Sequence, residues 1–229
     1  MIVLRYCLSC LLLLVCGGAF AAEPLALDAH VGRVSLDSHV AYLEDPTLQL
    51  TLEQIRAPDR QWADNGSDVL NKSYSDSAWW VHLRIVNPLP DEQSRLIEIS
   101  YAVLDYIDLY VVSGDQVVHQ YQMGDKLPYR ERLFDHRFFV IPLDWEPRQT
   151  LDVYLRVRTS SSVQVPLTLW QDDEFFGFDT TRTILQGIFF GTMLVIAVYN
   201  LLIYFVLGER TYILYVGYVL CMPAFLASL

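Results

Sequence analysis

The chain contains 25 consecutive residues without a charged side chain, at positions 183–207. An α-helix that rises about 1.5 Å per residue would extend this stretch to about 37 Å, longer than the roughly 30 Å hydrocarbon core of a bilayer. A helix at the surface of a soluble protein keeps one polar face, whereas this stretch is apolar on every face. The sequence therefore predicts a first transmembrane helix at 183–207, preceded by a domain outside the membrane.

The first residues have the pattern of a secretory signal peptide. A single charge at Arg5 precedes a short apolar core at 8–15, and the small residues Ala19 and Ala21 mark a cleavage site after Ala21. The apolar core is too short to span a bilayer. Lipoprotein processing at Cys16 is the alternative, and the bulky valine before that cysteine disfavours it. We therefore expect a signal peptide at 1–21, a domain in the bacterial periplasm at 22–178, and a protein of the inner membrane.

Composition excludes several functions for the exported domain. The chain has 27 acidic and 16 basic residues and a net charge of −11, which argues against nucleic acid and anionic lipid headgroups as partners. Three of the four cysteines precede residue 22 and the fourth is Cys221, so the domain has neither a disulfide nor a thiolate metal site. The five histidines show no metal-binding spacing, and we expect no metal and no cofactor.

From residue 78 onward, short runs alternate apolar and polar residues as β-strands do. The predicted strands are 30–36, 78–86, 95–101, 106–112, 116–122, 135–141, 150–159 and 163–170. A short helix is predicted at 47–56 with Thr47 as its N-cap. Strands spaced by about ten residues, with no amphipathic helices between them, predict an antiparallel β-sandwich.

The two faces of these strands differ in composition. One face is apolar and is predicted to form the core. The other carries aromatic, histidine and charged side chains that suit a polar ligand, namely Trp80, His82, Arg84, Asp108, Tyr110, Tyr154, Arg156 and Arg158. The same arginines also suit a cross-strand ladder with Asp108 and Asp152. The sequence leaves both interpretations of this face open.

The sequence after residue 183 indicates a bundle of several spans. Gly187 and Gly191 lie on one helix face, where a neighbouring helix can approach closely, and the amide of Asn200 needs a partner within the bilayer. We predict that all three pack against other helices. A turn at 208–211 separates a second apolar run at 212–229, predicted as a second transmembrane helix that the chain's end truncates. Arg210 is expected on the cytoplasmic side.

These pieces occur together in one family. They are WWVHLR at 79–84, NP at 87–88, LDYIDLY at 104–110, GD at 124–125, RFF at 137–139, PLTLW at 166–170, the glycine pair at 187–191, YNL at 199–201 and YILYVGY at 212–218. The chain resembles the bacterial seven-transmembrane receptors with diverse intracellular signalling modules, and its sandwich resembles their type 2 extracellular domain. The resemblance covers residues from about 31 to the end.

The resemblance implies a jelly-roll sensor domain related to carbohydrate-binding modules, then seven helices and a cytoplasmic output module. In such receptors the output is a diguanylate cyclase, a histidine kinase or a phosphatase, and it is absent from this chain. The family offers no invariant ligand residue to transfer, so the candidate site rests on the strand faces alone.

Three functions are compatible with the sequence. The first is a sensor of a carbohydrate or another small polar solute, and the second is a module for homodimerisation or for docking another receptor subunit. The third is a membrane-tethered glycosidase that uses Asp105 and Asp108. Residues three apart on a strand point to opposite faces, which disfavours that carboxylate pair. Because no catalytic motif is present either, we do not expect this chain to be an enzyme.

Overall fold

The computed structural model describes residues 23–66 and 68–227. The predicted signal peptide at 1–21 lies outside the described residues. The chain divides into two compact units, which meet at the bond between Asp172 and Asp173.

The first unit is built from short strands and one short helix. In chain order the strands are β1 (Leu25–Ala26), β2 (Arg33–Ser35), β3 (Ala41–Asp45), β4 (Ala63–Asp64), β5 (Leu70–Tyr74), β6 (Ala78–Val86), β7 (Gln93–Ile99), β8 (Tyr106–Ser113), β9 (Gln116–Met123), β10 (Phe139–Trp145), β11 (Thr150–Arg158), β12 (Ser162–Val165) and β13 (Leu167–Trp170). Helix α1 (Leu52–Ile55) follows β3. Single 3-10 turns lie at Asp37–His39 and Tyr129–Glu131.

These strands form two main sheets. The larger has the order β4-β3-β6-β11-β8-β9, and β1 pairs with β6. The smaller has the order β10-β7-β13-β2, while β12 and β5 form a separate pair. Within the described residues, every pairing is antiparallel except the short parallel contact of β1 with β6. The predicted antiparallel, jelly-roll-like sandwich is confirmed.

The core fills the space between the two sheets. The apolar face predicted from alternation on β6, β8 and β11 lies in it, including Val81, Leu109 and Val153, all without exposed surface. Ile97 and Ile141 reach the same core from the smaller sheet. The predicted core face is therefore confirmed, because period-two alternation places each of these side chains on the inner side of its sheet.

Two strand predictions differ most from the structure. The strand predicted at 135–141 is β10, at Phe139–Trp145. Arg132 donates from Nη1 to the carbonyls of His136 and Arg137, both at 2.9 Å, and so engages that backbone before the strand begins. The strand predicted at 163–170 is divided into β12 and β13 at Pro166, which has no amide hydrogen for a ladder.

The helix predicted at 47–56 is much shorter. Helix α1 begins after Thr51, which forms a capping box with Gln54. Thr47 is not its N-cap, because the Asp45 carboxylate accepts hydrogen bonds from the Thr47 backbone N–H and hydroxyl and from the Leu50 backbone N–H. These three bonds hold the intervening residues in a turn.

The second unit contains two helices, α2 (Asp172–Leu207) and α3 (Arg210–Ala227). Within the described residues, α2 alone is long and apolar enough to cross a membrane by length and composition. It begins before the predicted residue 183 and ends at Leu207, and the following Gly208 has a φ of +71°, which suits a glycine after a helix terminus. Ala197 of α2 packs with Val216 and Val219 of α3.

Candidate functional site

The strand register brings the predicted polar residues together on one face of the larger sheet. Tyr154 of β11 lies directly between His82 of β6 and Tyr110 of β8. Arg156 lies between Trp80 and Asp108 in the same way. Arg84 and Arg158 extend this face at opposite ends of the ladder, so all eight predicted residues share the outer face.

Part of this face is covered by a segment whose packing position the sequence does not indicate. Residues 46–62, here called the strap, cross over β6 and β11 between β3 and β4. Ile55 of the strap is fully buried against the face, and the Trp62 ring lies 5.5 Å from the His82 ring and 6.2 Å from the Tyr154 ring. The apolar residues of the strap indicate in the sequence that the segment packs on some surface, but their spacing does not tell which surface they cover.

The strap leaves two members of the predicted set deeply buried. Trp80 is 1% exposed and Tyr154 is 7% exposed. The His82 and Tyr154 rings stack at 4.5 Å, and the Trp80 and Tyr110 rings stack at 6.0 Å. The centre of the face is therefore an aromatic cluster under the strap rather than an open groove.

One end of the face is a charge ladder. Asp152 accepts hydrogen bonds from His82 Nε2 at 2.8 Å and from Arg84 Nε and Nη2 at 2.8 and 3.1 Å. Burial acts to raise the pKa of the Asp152 carboxyl, but the bonds from His82 and Arg84 outweigh burial and hold that pKa below its usual value. The ladder interpretation therefore accounts for Arg84.

This ladder predicts a pH-dependent stability. The carboxylate form of Asp152 contributes stability above the unfolded-state pKa near 3.9, and the contribution is lost as the pH falls through the lowered folded-state pKa. We expect Asp152→Asn to lower the free energy of unfolding at pH 7 by roughly 1.5–3 kcal/mol, the range for a hydrogen-bonded charge. The deficit should shrink below about pH 4.

The free energy of unfolding of the sandwich can be measured in the whole chain by urea titration with tryptophan fluorescence as the signal. All five tryptophans precede residue 172, so the fluorescence reports on the sandwich and not on the helices. Asp115→Asn is the control, since the Asp115 side chain is fully exposed in its pair with Arg56. A deficit for Asp152→Asn that stays constant between pH 7 and pH 3 would contradict the role assigned to the ladder.

Arg156 occupies the boundary between the strap and the open part of the face. It donates from Nη2 to the Leu48 carbonyl at 2.7 Å, and its Nη1 lies 3.5 Å from Asp108 Oδ2. The guanidinium carbon lies 6.0 Å from the centre of the Trp80 ring. Arg156 Nε and Trp80 Nε1 are among the buried donors for which the described residues provide no hydrogen-bond partner. Native proteins rarely leave such donors unsatisfied.

The face becomes more exposed to solvent beyond the strap, where Tyr106 and Arg158 lie. Arg158 is exposed, and its guanidinium lies 4.6 Å from the centre of the Tyr106 ring. Asp108 accepts a hydrogen bond from Gln122 at 3.1 Å. Burial, and then the charge of Asp108, raise the pKa of the Tyr110 phenol, so the hydroxyl stays protonated and able to donate.

Among the described residues, no atom lies close to the two glycines predicted to pack against other helices, whereas Asn200 is half-buried. A Cβ added at Gly187 or Gly191 would meet no atom within 4 Å. The Asn200 amide donates at 2.8 Å to the Ile196 carbonyl of its own helix. Packing of these residues against further helices remains a prediction.

The described residues also bear on catalysis and metal binding. They contain no cluster of three or more histidine, cysteine or acidic side chains that could hold a metal. Asp105 accepts from the backbone N–H and the hydroxyl of Ser160, whereas Asp108 pairs with Arg156 and Gln122. The two carboxyl groups proposed for a glycosidase thus have separate structural partners.

Comparison with protein families identifies the two parts of the chain. The model of the 7TMR-DISM extracellular 2 domain matches residues 37–171, which is more than half of the sequence. The chain belongs to the 7TMR-DISM family. The model of the 7TM diverse intracellular signalling domain matches residues 182–229, which contain most of α2 and all of α3. These 7TMR-DISM domains are sensory domains of membrane receptors, with an extracellular domain before the membrane helices, and they are not catalytic.

Comparisons with individual proteins add little to the 7TMR-DISM assignment. No curated protein matches the chain. Among solved structures, it is similar to CBM35 from Paenibacillus barcinonensis, with 11% identity and a TM-score of 0.28 over 61% of this chain and 96% of that one.

Two further solved structures are similar at the same level. A family 35 carbohydrate binding module from Clostridium thermocellum has 8% identity and a TM-score of 0.26 over 44% of this chain and 84% of that one. The GH31 alpha-xylosidase from Xanthomonas citri has 14% identity and a TM-score of 0.26, over 65% of this chain and 16% of that one. These likenesses assign no ligand to this 7TMR-DISM chain.

Proposed function

We propose that the sandwich is the periplasmic ligand-sensing domain of a multi-pass receptor in a bacterial inner membrane. In this proposal a signal peptide at 1–21 precedes the sensor domain at 22–178, and transmembrane helices at 183–207 and 212–229 begin the bundle. The ligand is a carbohydrate or another small polar solute, and the signal passes to a cytoplasmic output module. The chain itself carries no catalytic role.

The observation that carries this proposal is the pair of buried, unpartnered donors at Trp80 Nε1 and Arg156 Nε. A donor buried without a partner costs about 1–3 kcal/mol. The hydroxyl and ring oxygens of a sugar are acceptors that would satisfy both donors. With the strap displaced, the rings of Trp80 and Tyr110 would offer the flat apolar surface that a sugar ring packs on.

The strap gives this site two states. In the described state the Leu48 carbonyl of the strap accepts a hydrogen bond from Nη2 of Arg156. A ligand that accepts hydrogen bonds from both Nε and Nη2 of Arg156 competes with the Leu48 carbonyl for Nη2. Such a ligand therefore favours a conformation in which the strap has moved away from the face. Ligand binding would thus shift the population between covered and uncovered faces, a change that a receptor can transmit.

We expect Arg156→Gln to abolish the response to the true ligand. In the test, the full chain in detergent is heated with a panel of neutral sugars, sugar acids and small polar solutes, and unfolding is followed by tryptophan fluorescence. A ligand at a hundred times its dissociation constant adds about 2.7 kcal/mol, which raises the midpoint by several degrees. Trp80→Phe keeps the ring and removes the N–H, and it should weaken the response in the same direction.

The matched control is Arg130→Gln, because Arg130 is exposed and lies in the 3-10 turn before β10, away from this face. A ligand response that survives in Arg156→Gln as fully as in Arg130→Gln would refute the site. If no solute shifts the midpoint and the chain instead associates with increasing concentration, the sandwich is a dimerisation or docking module.

A further inference from the structure

A pocket lies away from the face described above, at an open end of the core between the two sheets. It has a volume of about 200 Å³. It is formed by strands β1, β2, β7 and β13 and by the loop between β1 and β2. Its walls are mainly apolar, with Leu25, Leu27, Val34 and Leu169 among them. Arg95 is the one basic side chain that the described residues place in its lining.

Arg95 is a buried cation. It alternates along β7 with Ile97 and Ile99 of the core, which places it on the inner face of the smaller sheet, and it is only 6% exposed. Its guanidinium donates to the Ser94 carbonyl at 2.8 Å and to the Asp28 carbonyl at 3.2 Å. These bonds use two of the five N–H donors of an arginine.

The described residues provide no salt bridge for this charge. Burial lowers the pKa of the Arg95 guanidinium, and the charge of Asp172 only partly opposes that effect. The carboxylate of Asp28, which also lies at the pocket, is exposed and accepts from the His30 backbone N–H at 2.8 Å. A buried charge is normally paired, because removing it from water without a counter-ion is costly.

We propose that this pocket binds a small monocarboxylate whose carboxylate pairs with Arg95 and whose apolar body fills the space between the sheets. The fork of a guanidinium matches a carboxylate with two parallel hydrogen bonds. An apolar cavity of about 150 Å³ accommodates benzene. A pocket of about 200 Å³ therefore suits an aromatic or short aliphatic acid of about the size of benzoate.

The position of the pocket suits a regulatory ligand. The loop after β1 accepts hydrogen bonds from Gln171, whose backbone N–H donates to the Gly32 carbonyl and whose side chain donates to the Ala29 carbonyl, both at 2.7 Å. Gln171 immediately precedes helix α2. A ligand that orders this loop therefore acts on the residue that connects the sandwich to the membrane helix. This pocket is separate from the outer face, and its monocarboxylate differs in class from the sugar or polar solute proposed there.

The test uses the full chain in detergent, with benzoate as the probe and tryptophan fluorescence as the readout of thermal unfolding. Saturating benzoate should raise the midpoint of the wild type by roughly 5–10 °C at a hundred times its dissociation constant. Benzyl alcohol, which has the ring without the charge, and sodium chloride at the same ionic strength should cause no comparable shift. A wild-type chain that does not respond to benzoate overturns the proposal.

Arg95→Met is the decisive variant. Replacing an unpaired buried charge with an apolar side chain of similar length is expected to leave the ligand-free midpoint equal to that of the wild type or above it. The benzoate shift should disappear. A shift that persists unchanged in Arg95→Met shows that benzoate binds elsewhere and overturns the proposal.

Two further variants keep the result interpretable. Val31→Phe fills the pocket from an exposed loop position without changing Arg95, and it should also abolish the benzoate shift even if Arg95→Met folds poorly. Arg156→Gln should retain the full benzoate shift. Loss of the benzoate shift in Arg156→Gln would instead place benzoate on the outer face, whereas failure of the outer-face proposal alone leaves the shift intact.

Discussion

Replacing Gly124 with alanine is expected to lower the free energy of unfolding by more than about 3 kcal/mol, enough to leave most of the sandwich unfolded near its normal midpoint. Gly124 has a φ of +150°, a backbone conformation that residues with a side chain rarely adopt. A Cβ at this position would overlap the Asp105 carbonyl oxygen, and it would lie 2.7 Å from the Asp105 carbonyl carbon and 2.9 Å from the Tyr106 Cα. These are backbone atoms, which cannot rotate away as the end of a side chain can.

The surrounding hydrogen bonds make relaxation costly. Asp125 donates from its backbone N–H to the Leu104 carbonyl at 2.8 Å, and Lys126 donates to the Asp105 carbonyl at 3.3 Å. Separating the two segments enough to admit a methyl group would break both bonds. It would also disturb the start of β8, which carries Asp108 and Tyr110.

Gly114→Ala is the matched control. Gly114 also has a positive φ, of +61°, but no atom lies within 4 Å of a Cβ built there. Its substitution should therefore cost only the conformational penalty of about 1–2 kcal/mol. Urea unfolding of both variants, followed by tryptophan fluorescence, separates the two effects. Equal losses in Gly124→Ala and Gly114→Ala would mean that conformation alone, and not the contact with Asp105, makes Gly124 necessary.

Much of the sandwich could be predicted because alternation along one strand decides which side chains face the core. On β6, β8 and β11 the apolar positions repeat every second residue, so the inner and outer faces followed directly from the sequence. Alternation also placed Trp80, Arg156 and Asp108 on the outer face, but their position side by side depends on the strand order and register, which the sequence did not indicate.

The covering of that face could not be predicted in the same way. Whether Ile55 and Trp62 pack on the outer face, on the core or on another molecule depends on where the chain turns after β3. That turn is fixed by the Asp45 carboxylate, whose hydrogen bonds cap residues two and five positions later. In the sequence, Asp45 followed by Pro46 indicates only that a strand ends there. A capping side chain of this kind gives no periodic signal.

Arg95 shows a second limit. In the structure Arg95 lies on the inner face of β7 together with Ile97 and Ile99. In the sequence, however, a charged residue near the start of a strand normally indicates a solvent-exposed position. The burial of Arg95 follows from β1 and the loop after β1, which close over the end of the core. Such closure depends on contacts between residues about 70 positions apart, as in the bond from Arg95 to the Asp28 carbonyl.

Removal of the Asp45 carboxylate is expected to release the strap. Asp45 has no exposed surface and accepts three hydrogen bonds, from the Thr47 hydroxyl and from the Thr47 and Leu50 backbone N–H groups. Asp45→Ala leaves those donors without their acceptor, at a cost of about 3 kcal/mol in the free energy of unfolding. Asp45→Asn preserves the shape and one acceptor oxygen, so it should cost less.

Trypsin gives a direct measurement of the strap, because Arg56 and Arg60 both lie within it. In the wild type these side chains donate to the Gly114 and Gln54 carbonyls, and the strap is held on the sheet by the buried Ile55. Asp45→Ala should therefore be cleaved after Arg56 and Arg60 much faster than the wild type at a temperature where both remain folded. Ile55→Ala is the control, since it loosens the same segment without altering the turn. Rapid cleavage in Ile55→Ala but none in Asp45→Ala would mean that packing alone, and not the capped turn, holds the strap on the sheet.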